Sequence, residues 1–215
     1  MWSYFGSKQK IVKYYPEPIY DTLIEPFAGT AKYSLYGDNW KKNVILVDSY
    51  DVIVRIWWYL QKASEKDILD LPVIQKGELV PEYLCDEERW LMGFCVNRGT
   101  TYPRKRASNH NSWASDKKRI AANLYKIRHW TIILGSYKDV PNQKATWFID
   151  PPYQEQGFQY KCNHIDYKEL AEWIRSREGQ VIVGENATAD WRDFKPLVPL
   201  NGTRKRTVEC IWYRE

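Results

Sequence analysis

A short apolar run that stops at two prolines constrains the fold of this chain more than any other feature. Residues 146–149 are large or β-branched, which suits a strand buried on both faces. Pro151 and Pro152 lack the amide hydrogens that a sheet ladder needs, so the strand must end at Asp150. Because ligands bind beyond the carboxyl ends of parallel strands, Asp150 and Tyr153 are expected at the mouth of a binding site.

A carboxylate and an aromatic ring at one strand end match the needs of chemistry on a nucleobase. A carboxylate and a proline carbonyl can accept hydrogen bonds from the two hydrogens of an exocyclic amine. The nitrogen lone pair is then less delocalised into the ring. A tyrosine can stack on a base that has been lifted out of its helix. A buried strand followed by an ordinary Pro-Pro turn would have the same sequence, so the segment alone does not decide between the two.

Two segments nearer the start of the chain have the pattern of a nucleotide-binding sheet. Residues 22–31 predict a short strand, a tight turn at Gly29 and a helix from about Ala31. Residues 43–48 predict a second buried strand that ends on Asp48, about twenty residues after the turn, where an acid can bind ribose hydroxyls. The alternative is that Asp48 only caps the helix predicted over residues 52–61.

The N-terminal segment has a glycine, a serine and a lysine ahead of a helical pattern. Gly6 and Ser7 predict a helix N-terminus, where free amide groups favour a carboxylate or a phosphate. Lys8 adds a full positive charge. The alternative is a simple helix cap beside a solvated lysine, and the segment in isolation favours that alternative.

Composition limits the classes of protein to which the chain can belong. Its 215 residues suit one domain, or one domain with an insertion. The formal charge of +5 and the pI near 8.9 allow a polyanionic partner without requiring one. Four scattered cysteines without C-x-x-C spacing predict reduced thiols, no zinc and a cytoplasmic location. No apolar run suits a membrane span and no signal peptide is recognisable, so no membrane association is expected.

The alternation of strands and helices lapses between residues 63 and 130, which predicts an insertion. Residues 87–96 predict a buried helix, and residues 117–130 predict an amphipathic one. Residues 97–113 are basic, polar and interleaved with aromatics, which is typical of phosphate and base contacts and also of a solvated loop. The residues expected to contact nucleic acid are Arg98, Arg104, Lys105, Arg106, Asn109, Lys117 and Lys118.

The last part of the chain returns to alternating elements. Residues 154–163 predict a polar loop that could close over a flipped base. Residues 166–177 predict a helix, residues 180–183 a buried strand, and residues 207–213 the closing edge strand.

In this order, the segments resemble the Dam-type (D12 class) family of S-adenosylmethionine-dependent DNA adenine N6-methyltransferases. The matching pieces are residues 4–8, 25–31, 48, 133–137, 150–153 and 166–186. The resemblance implies an α/β, Rossmann-like class I methyltransferase fold with a mostly parallel seven-stranded sheet and helices on both faces. Residues 1–62 and 131–215 would form the catalytic domain, and residues 63–130 an inserted target-recognition region. Members of the family usually have glycine at the position of Ala31 and an acid at the position of Ser136. Whether these two residues of this chain contact the cofactor is therefore left open.

The resemblance also implies roles for individual residues. Gly6, Ser7 and Lys8 would hold the methionine end of the cofactor, and Ser136 and Tyr137 would lie near its adenine. The implied catalytic residues are Asp150, Pro151, Pro152 and Tyr153. The implied cofactor-binding residues are Tyr4, Phe5, Gly6, Ser7, Lys8, Glu25, Pro26, Phe27, Gly29, Thr30, Asp48, Ser136, Tyr137 and Asp150.

The expected reaction is transfer of the methyl group of S-adenosylmethionine to adenine N6 in double-stranded DNA after base flipping. S-adenosylhomocysteine would be the other product, and no metal is needed. The resemblance leads us to expect a monomer or weak dimer in a bacterial or virus-infected cell, with a cognate restriction enzyme as an optional companion. Methylation of cytosine N4 or of RNA adenine, and a catalytically silent nucleic-acid-binding subunit, remain alternatives.

Overall fold

Seven strands form one sheet in the computed structural model, which describes residues 1–155, 157–201 and 206–215. The strands are β1 (Thr22–Glu25), β2 (Asn43–Asp48), β3 (Thr131–Leu134), β4 (Ala145–Ile149), β5 (Gly179–Asn186), β6 (Lys195–Asn201) and β7 (Arg206–Arg214). Their spatial order is β3-β2-β1-β4-β5-β7-β6. Strands β1 to β5 pair in parallel, and β7 runs antiparallel to both β5 and β6. The prediction of a mostly parallel seven-stranded sheet is confirmed.

Side chains of the central strands alternate between two apolar layers, as the two-residue period of a strand requires. Leu23, Leu46, Phe148 and Ile182 belong to one layer, and Ile24, Val47, Trp147 and Val183 belong to the other. Both layers are buried, which explains why these strands are continuous apolar runs rather than alternating ones. The sheet therefore needs a cover on each face.

Five α-helices supply most of that cover: α1 (Asp51–Lys62), α2 (Glu65–Asp70), α3 (Asp86–Cys95), α4 (Trp113–Ala121) and α5 (Tyr167–Arg175). Helix α1 buries Ile53, Ile56 and Leu60 at helical spacing against the first layer. Helix α5 buries Leu170 and Ile174 against the second. None of the helices in the described ranges has the length and apolar character needed to cross a bilayer.

Residues 63–130 lie between α1 and β3, as predicted for an insertion, but they share the apolar core of the sheet. Leu91 and Phe94 of α3, and Trp113 and Ile120 of α4, belong to the same buried cluster as Leu23 of β1. The region therefore packs as part of the main domain and has no separate core of its own.

Three helix predictions were wrong in extent or kind. The predicted helix from Ala31 is replaced by turns, because Ala31 has a φ of 46° in the left-handed region. Behind Gly6 and Ser7 the chain forms two single 3-10 turns (Lys8–Lys10 and Val12–Tyr14) rather than an α-helix. The helix predicted over 117–130 ends at Ala121, where the Asn123 side chain donates to the Arg119 carbonyl, and continues only as the 3-10 turn Leu124–Ile127.

The prediction for the last strand was also wrong in one respect. Strand β7 was expected at the edge of the sheet, but it lies between β5 and β6. Strand β6 forms that edge, and its Pro196 and Pro199 made it unrecognisable as a strand in the sequence. Proline is tolerated on an edge strand, where its missing amide hydrogen faces no partner.

We expect the Trp57 ring of α1 to be a main source of stability. It is 0% exposed, packs against the rings of Trp2 and Trp130, and donates its indole N–H to the Gly29 carbonyl at 2.9 Å. Trp57→Ala should lower the free energy of unfolding by about 3–5 kcal/mol in urea denaturation, because a large buried ring leaves a cavity.

The neighbouring residue Trp58 is the matched control for this prediction, because it lies on the same helix and is 37% exposed. Trp58→Ala should cost about 1 kcal/mol, the value of a partly exposed ring and one hydrogen bond. Equal losses for the two variants would contradict the assignment of Trp57 to the core.

Candidate functional site

A cavity opens beyond the carboxyl ends of β1, β2 and β4, the edge where ligands bind in parallel sheets. Its volume is about 80 Å³, and the whole groove, including the open solvent at its mouth, measures about 700 Å³. The walls come from the N-terminal segment, the turns after β1 and β2, the end of β4 and the loop that follows Pro152. The side chains and backbone that line it belong to Tyr4, Phe5, Gly6, Ser7, Lys8, Glu25, Phe27, Ala28, Gly29, Thr30, Ala31, Lys32, Tyr33, Asp48, Ser49, Tyr50, Phe148, Asp150, Pro152, Tyr160 and Cys162.

The turn after β1 is fixed by hydrogen bonds to its glycine. Gly29 has a φ of 45°, a conformation that glycine adopts readily, and its N–H donates to Asp48 Oδ2 at 2.9 Å. Asp48 Oδ1 accepts a second bond from the Tyr50 N–H, 2.9 Å away, at the start of α1. Asp48 therefore ties the glycine turn to β2 and also helps to begin α1, and it lines the cavity while doing both.

The N-terminal segment lies across the cavity from Asp48 and is covered by Tyr160. The φ of Gly6 is 70°, and a Cβ at this position would overlap the Tyr160 hydroxyl. That hydroxyl donates to the Phe5 carbonyl at 3.3 Å. The Ser7 hydroxyl oxygen is buried in the cavity wall and has no hydrogen-bond partner among the described residues. A buried hydroxyl without a partner is costly, so this wall is suited to a polar ligand group.

Three charged side chains meet at the end of β4. The Lys8 ammonium lies 2.9 Å from Asp150 Oδ1 and 3.2 Å from Glu209 Oε1 of β7. Lys8 and Glu209 are buried, while Asp150 keeps a small exposed surface toward the cavity. One ammonium thus bridges two carboxylates in the protein interior.

The aromatic residue of the tetrapeptide joins the same cluster. The Tyr153 hydroxyl donates to Glu209 Oε1 at 2.6 Å, and the Tyr15 hydroxyl donates to the same oxygen. The Lys8 ammonium also donates to the Tyr153 hydroxyl and lies 4.4 Å from the ring centroid, beyond the hydroxyl edge of the ring. Tyr153 is therefore held at its hydroxyl end.

The electrostatic environment shifts the carboxyl groups of this edge toward the neutral form. Burial raises the pKa of Asp150 to about 6, with the Lys8 charge opposing the increase and the Glu209 charge adding to it. Burial lowers the pKa of Lys8, but the two carboxylates raise it by more, so the ammonium stays charged. Asp150 is thus mostly ionised at neutral pH and close enough to its pKa to exchange a proton.

Glu185 and Tyr167 hold the chain just after Asp150. Glu185 Oε2 at the tip of β5 accepts from the Gln154 N–H at 3.2 Å and from the Trp191 indole at 3.2 Å. The Tyr167 hydroxyl donates to the Pro152 carbonyl at 2.6 Å. The segment after β4 is therefore anchored by one side chain from β5 and one from α5.

The structure brings most of the predicted site residues to one cavity but not all of them. Eleven of the fourteen predicted cofactor-binding residues line it. Tyr137 instead stacks on Phe27 from behind, with ring centroids 5.4 Å apart, and Ser136 caps the 3-10 turn Tyr137–Asp139. Pro26 is buried outside the lining, and of the four predicted catalytic residues Pro151 and Tyr153 do not line the cavity.

The predicted DNA-binding residues are mostly on the surface, with one correction. Residues Arg98, Lys105, Arg106, Asn109 and Lys118 are exposed, and Arg104 is half-buried with its guanidinium 4.7 Å from the centre of the Tyr102 ring. Lys117 is only 8% exposed, and its ammonium donates to the carbonyls of Leu69 and Leu71 at the end of α2. Lys117 therefore joins α2 to α4, and the expectation that it faces DNA was wrong.

The sequence reasoning missed Glu209, Tyr15 and Tyr160. Glu209 stands in the apolar run of β7, and a charged residue at such a position was the one signal that could have pointed to it. Tyr15 and Tyr160 carried no signal, because their role depends on contacts with residues more than a hundred positions away.

Comparisons with models of protein families and with curated proteins found no match to this chain.

Stability should depend on pH through Glu25, which lies 3% exposed at the end of β1 and accepts from the Ser34 N–H at 2.7 Å and the Ser34 hydroxyl at 2.5 Å. Burial raises the pKa of this carboxyl to about 8. Between its ordinary pKa and this value the folded protein binds more protons than the unfolded chain, so stability falls as pH rises through the interval.

Glu25→Gln keeps an acceptor for Ser34 but removes the titration. In urea denaturation we expect the variant to be more stable than the wild type at pH 9 by about 1–3 kcal/mol, and to differ little at pH 5. Glu82→Gln, at an exposed position, is the control and should leave the pH profile unchanged. An identical fall in stability for wild type and Glu25→Gln would contradict this role.

Proposed function

We propose that this chain is an S-adenosylmethionine-dependent methyltransferase that acts on adenine N6 in double-stranded DNA. The observation that carries the proposal is the single cavity that joins Asp150 to the glycine turn at Gly29 and to Asp48. The sheet order, with one antiparallel strand between β5 and β6, supports a class I methyltransferase fold. The choice of S-adenosylmethionine as the methyl donor and of adenine as the base rests on the resemblance of the ordered segments to the Dam-type family.

The cavity has suitable groups for each part of the cofactor. Asp48 offers a carboxylate to the ribose hydroxyls, and Gly29 leaves the backbone open to close approach. The unpartnered Ser7 hydroxyl offers a hydrogen bond to the amino-acid end. S-adenosylmethionine supplies a methyl group that its sulfonium makes electrophilic. Since cofactor pockets measure about 300 Å³ or more, the cavity must widen for the cofactor to enter, and we expect the Tyr160 ring to move because it packs directly on Gly6.

Asp150 is the proposed catalytic residue on the side of the base. Its carboxylate would accept one hydrogen of the exocyclic amine. The resemblance assigns the other hydrogen to the Pro151 carbonyl, which does not line the cavity and would have to turn toward it. The nitrogen–carbon bond would form as the carbon–sulfur bond of the methyl donor broke, and the electron pair of that bond would stay on sulfur. The nitrogen then carries a positive charge and loses one proton, which Asp150 accepts because its pKa is about 6.

The basic segment of residues 97–113 is attached to the same mouth. The Phe5 N–H donates to the Thr100 carbonyl at 3.1 Å, and the Gly99 N–H donates to the Ser3 hydroxyl at 3.3 Å. Exposed Arg98 and Lys105 are therefore on a segment fixed to the cavity wall, where phosphate contacts would place a flipped base at the cavity.

One observation favours a second candidate, a catalytically silent nucleic-acid-binding subunit. Asp150 is paired with Lys8, and the Tyr153 hydroxyl is bound to Glu209, so two of the proposed catalytic side chains already have partners. Calorimetry with S-adenosylmethionine separates the two candidates, since absence of binding supports the silent subunit. Mass spectrometry of digested product separates adenine N6 from cytosine N4, and DNA from RNA.

Asp150→Ala should lower the transfer of tritiated methyl groups to DNA by about a hundredfold or more, because the amine loses its charged acceptor. Lys8 keeps Glu209 as a partner in this variant, so the fold and cofactor binding should be preserved. Binding measured by calorimetry is expected to change by less than about threefold, under 1 kcal/mol.

Asp38→Ala, which removes a carboxylate that pairs with Lys41 on the surface, is the control for the loss of one negative charge. It should keep full activity. Wild-type activity in Asp150→Ala would remove the proposed mechanism.

The double variant Arg98→Ala/Lys105→Ala tests the DNA surface. Each lost phosphate contact should reduce the slope of log affinity against log salt by about 1, so the double variant should lose about 2. The matched double variant Lys138→Ala/Lys168→Ala removes two exposed lysines beside α5, on the other face of the sheet. Equal salt slopes for the two double variants, measured by fluorescence anisotropy, would exclude residues 97–113 from the DNA interface.

A further inference from the structure

We propose that Glu209 is a positioning residue of this site, which holds Lys8 and Tyr153 in place around Asp150. The inference rests on the proposed methyl transfer, because it assigns a role relative to Asp150. Glu209 is 1% exposed and lies on β7, more than fifty residues after the tetrapeptide. It does not line the cavity, so its role must act through its neighbours.

The sheet brings Glu209 to Asp150 through a gap left by a glycine. Strand β5 lies between β4 and β7, and its Gly184 has no side chain to separate the two carboxylates. A Cβ at Gly184 would lie 2.7 Å from the Tyr15 hydroxyl, 3.3 Å from Glu209 Oε1 and 3.6 Å from Asp150 Oδ1. The cluster therefore occupies the space that any other residue at position 184 would fill.

A single oxygen of Glu209 collects three donors. Oε1 accepts from the hydroxyls of Tyr153 and Tyr15, and it lies 3.2 Å from the Lys8 ammonium. A buried carboxylate is costly unless it is paired and hydrogen-bonded, and these three donors meet that requirement. The three donors come from residues 8–15 and from the tetrapeptide, so Glu209 joins two parts of the chain that are far apart in sequence.

The charges explain why this arrangement bears on Asp150. With Lys8 alone, Asp150 would be fully neutralised by a partner 2.9 Å away and would have little charge to offer to an amine. Glu209 shares that ammonium, so the three ionised groups have a net charge of −1. The remaining negative charge suits a site where a positive charge develops on the reacting nitrogen.

Other titratable groups also face Asp150, and a test must leave them in place. They are Glu25 of β1, Glu185 of β5 and the hydroxyls of Tyr15, Tyr153 and Tyr160. Each of them is retained when only Glu209 is changed.

Glu209→Gln keeps an oxygen that can accept from both tyrosines and removes the charge. The kcat for methyl transfer should fall by about tenfold to a hundredfold, as expected for a misplaced catalytic group, with KM for the cofactor changed much less. The acidic limb of the kcat profile should move to lower pH, because the Glu209 charge contributes to the raised pKa of Asp150.

A second readout does not need activity. Carbon-13 NMR of the aspartate carboxyl groups, in protein without DNA or cofactor, should show Asp150 titrating at lower pH in Glu209→Gln than in the wild type. Asp150→Asn assigns the resonance. Glu178→Gln removes the same charge from an exposed position just before β5, and should move neither the titration nor the kcat profile.

Glu209→Asp keeps the charge and shortens the side chain. This variant is the replacement test if Glu209→Gln does not fold. It should leave the Asp150 titration close to that of the wild type while lowering kcat through loss of the Tyr153 contact. An unmoved Asp150 titration in Glu209→Gln, or a loss of activity in that variant without any shift of the acidic limb, overturns the inference. If the wild-type protein transfers no methyl groups, the proposed function is overturned instead. The NMR titration would still show whether the charge of Glu209 affects the titration of Asp150.

Discussion

The sharing of one buried ammonium by two carboxylates is the interaction on which the candidate site depends. Lys8 comes from the N-terminal segment, Asp150 from the end of β4 and Glu209 from β7, so three distant parts of the chain meet at one charge. Burying each group alone would be costly, and only the set makes the burial tolerable. Together with the contacts of Trp2 with Trp57 and of Phe5 with Thr100, this cluster holds the N-terminal segment where it forms one wall of the cavity.

The sequence predicted the features that depend on local patterns. The strand before Asp150, the strand before Asp48, helix α1 and the turn at Gly29 all arise from apolar runs, prolines and glycines close to one another in the chain. Because parallel strands end at one edge, these local predictions were enough to place Asp48 and Asp150 on the same cavity.

The features that the sequence did not predict depend on long-range packing. Ala31 adopts a left-handed conformation, which cannot be predicted from the helical pattern of the residues around it. Pro196 and Pro199 are untypical of strands, so the edge strand that contains them was not predicted. Lys117 has the composition of a surface lysine, but its ammonium is bound by two carbonyls at the end of a different helix. Glu209 is a charged residue in an apolar run, but its partners became clear only when the strand order placed β7 beside β5.

Tyr160 beside Gly6 ties the loop after the tetrapeptide to the N-terminal segment. The ring belongs to the loop that directly follows the tetrapeptide, and the same loop presents Phe158, 74% exposed, to the solvent. The Tyr160 hydroxyl fills the space that a Cβ at Gly6 would need, so one hydrogen bond and one missing side chain fix how this loop meets the start of the chain.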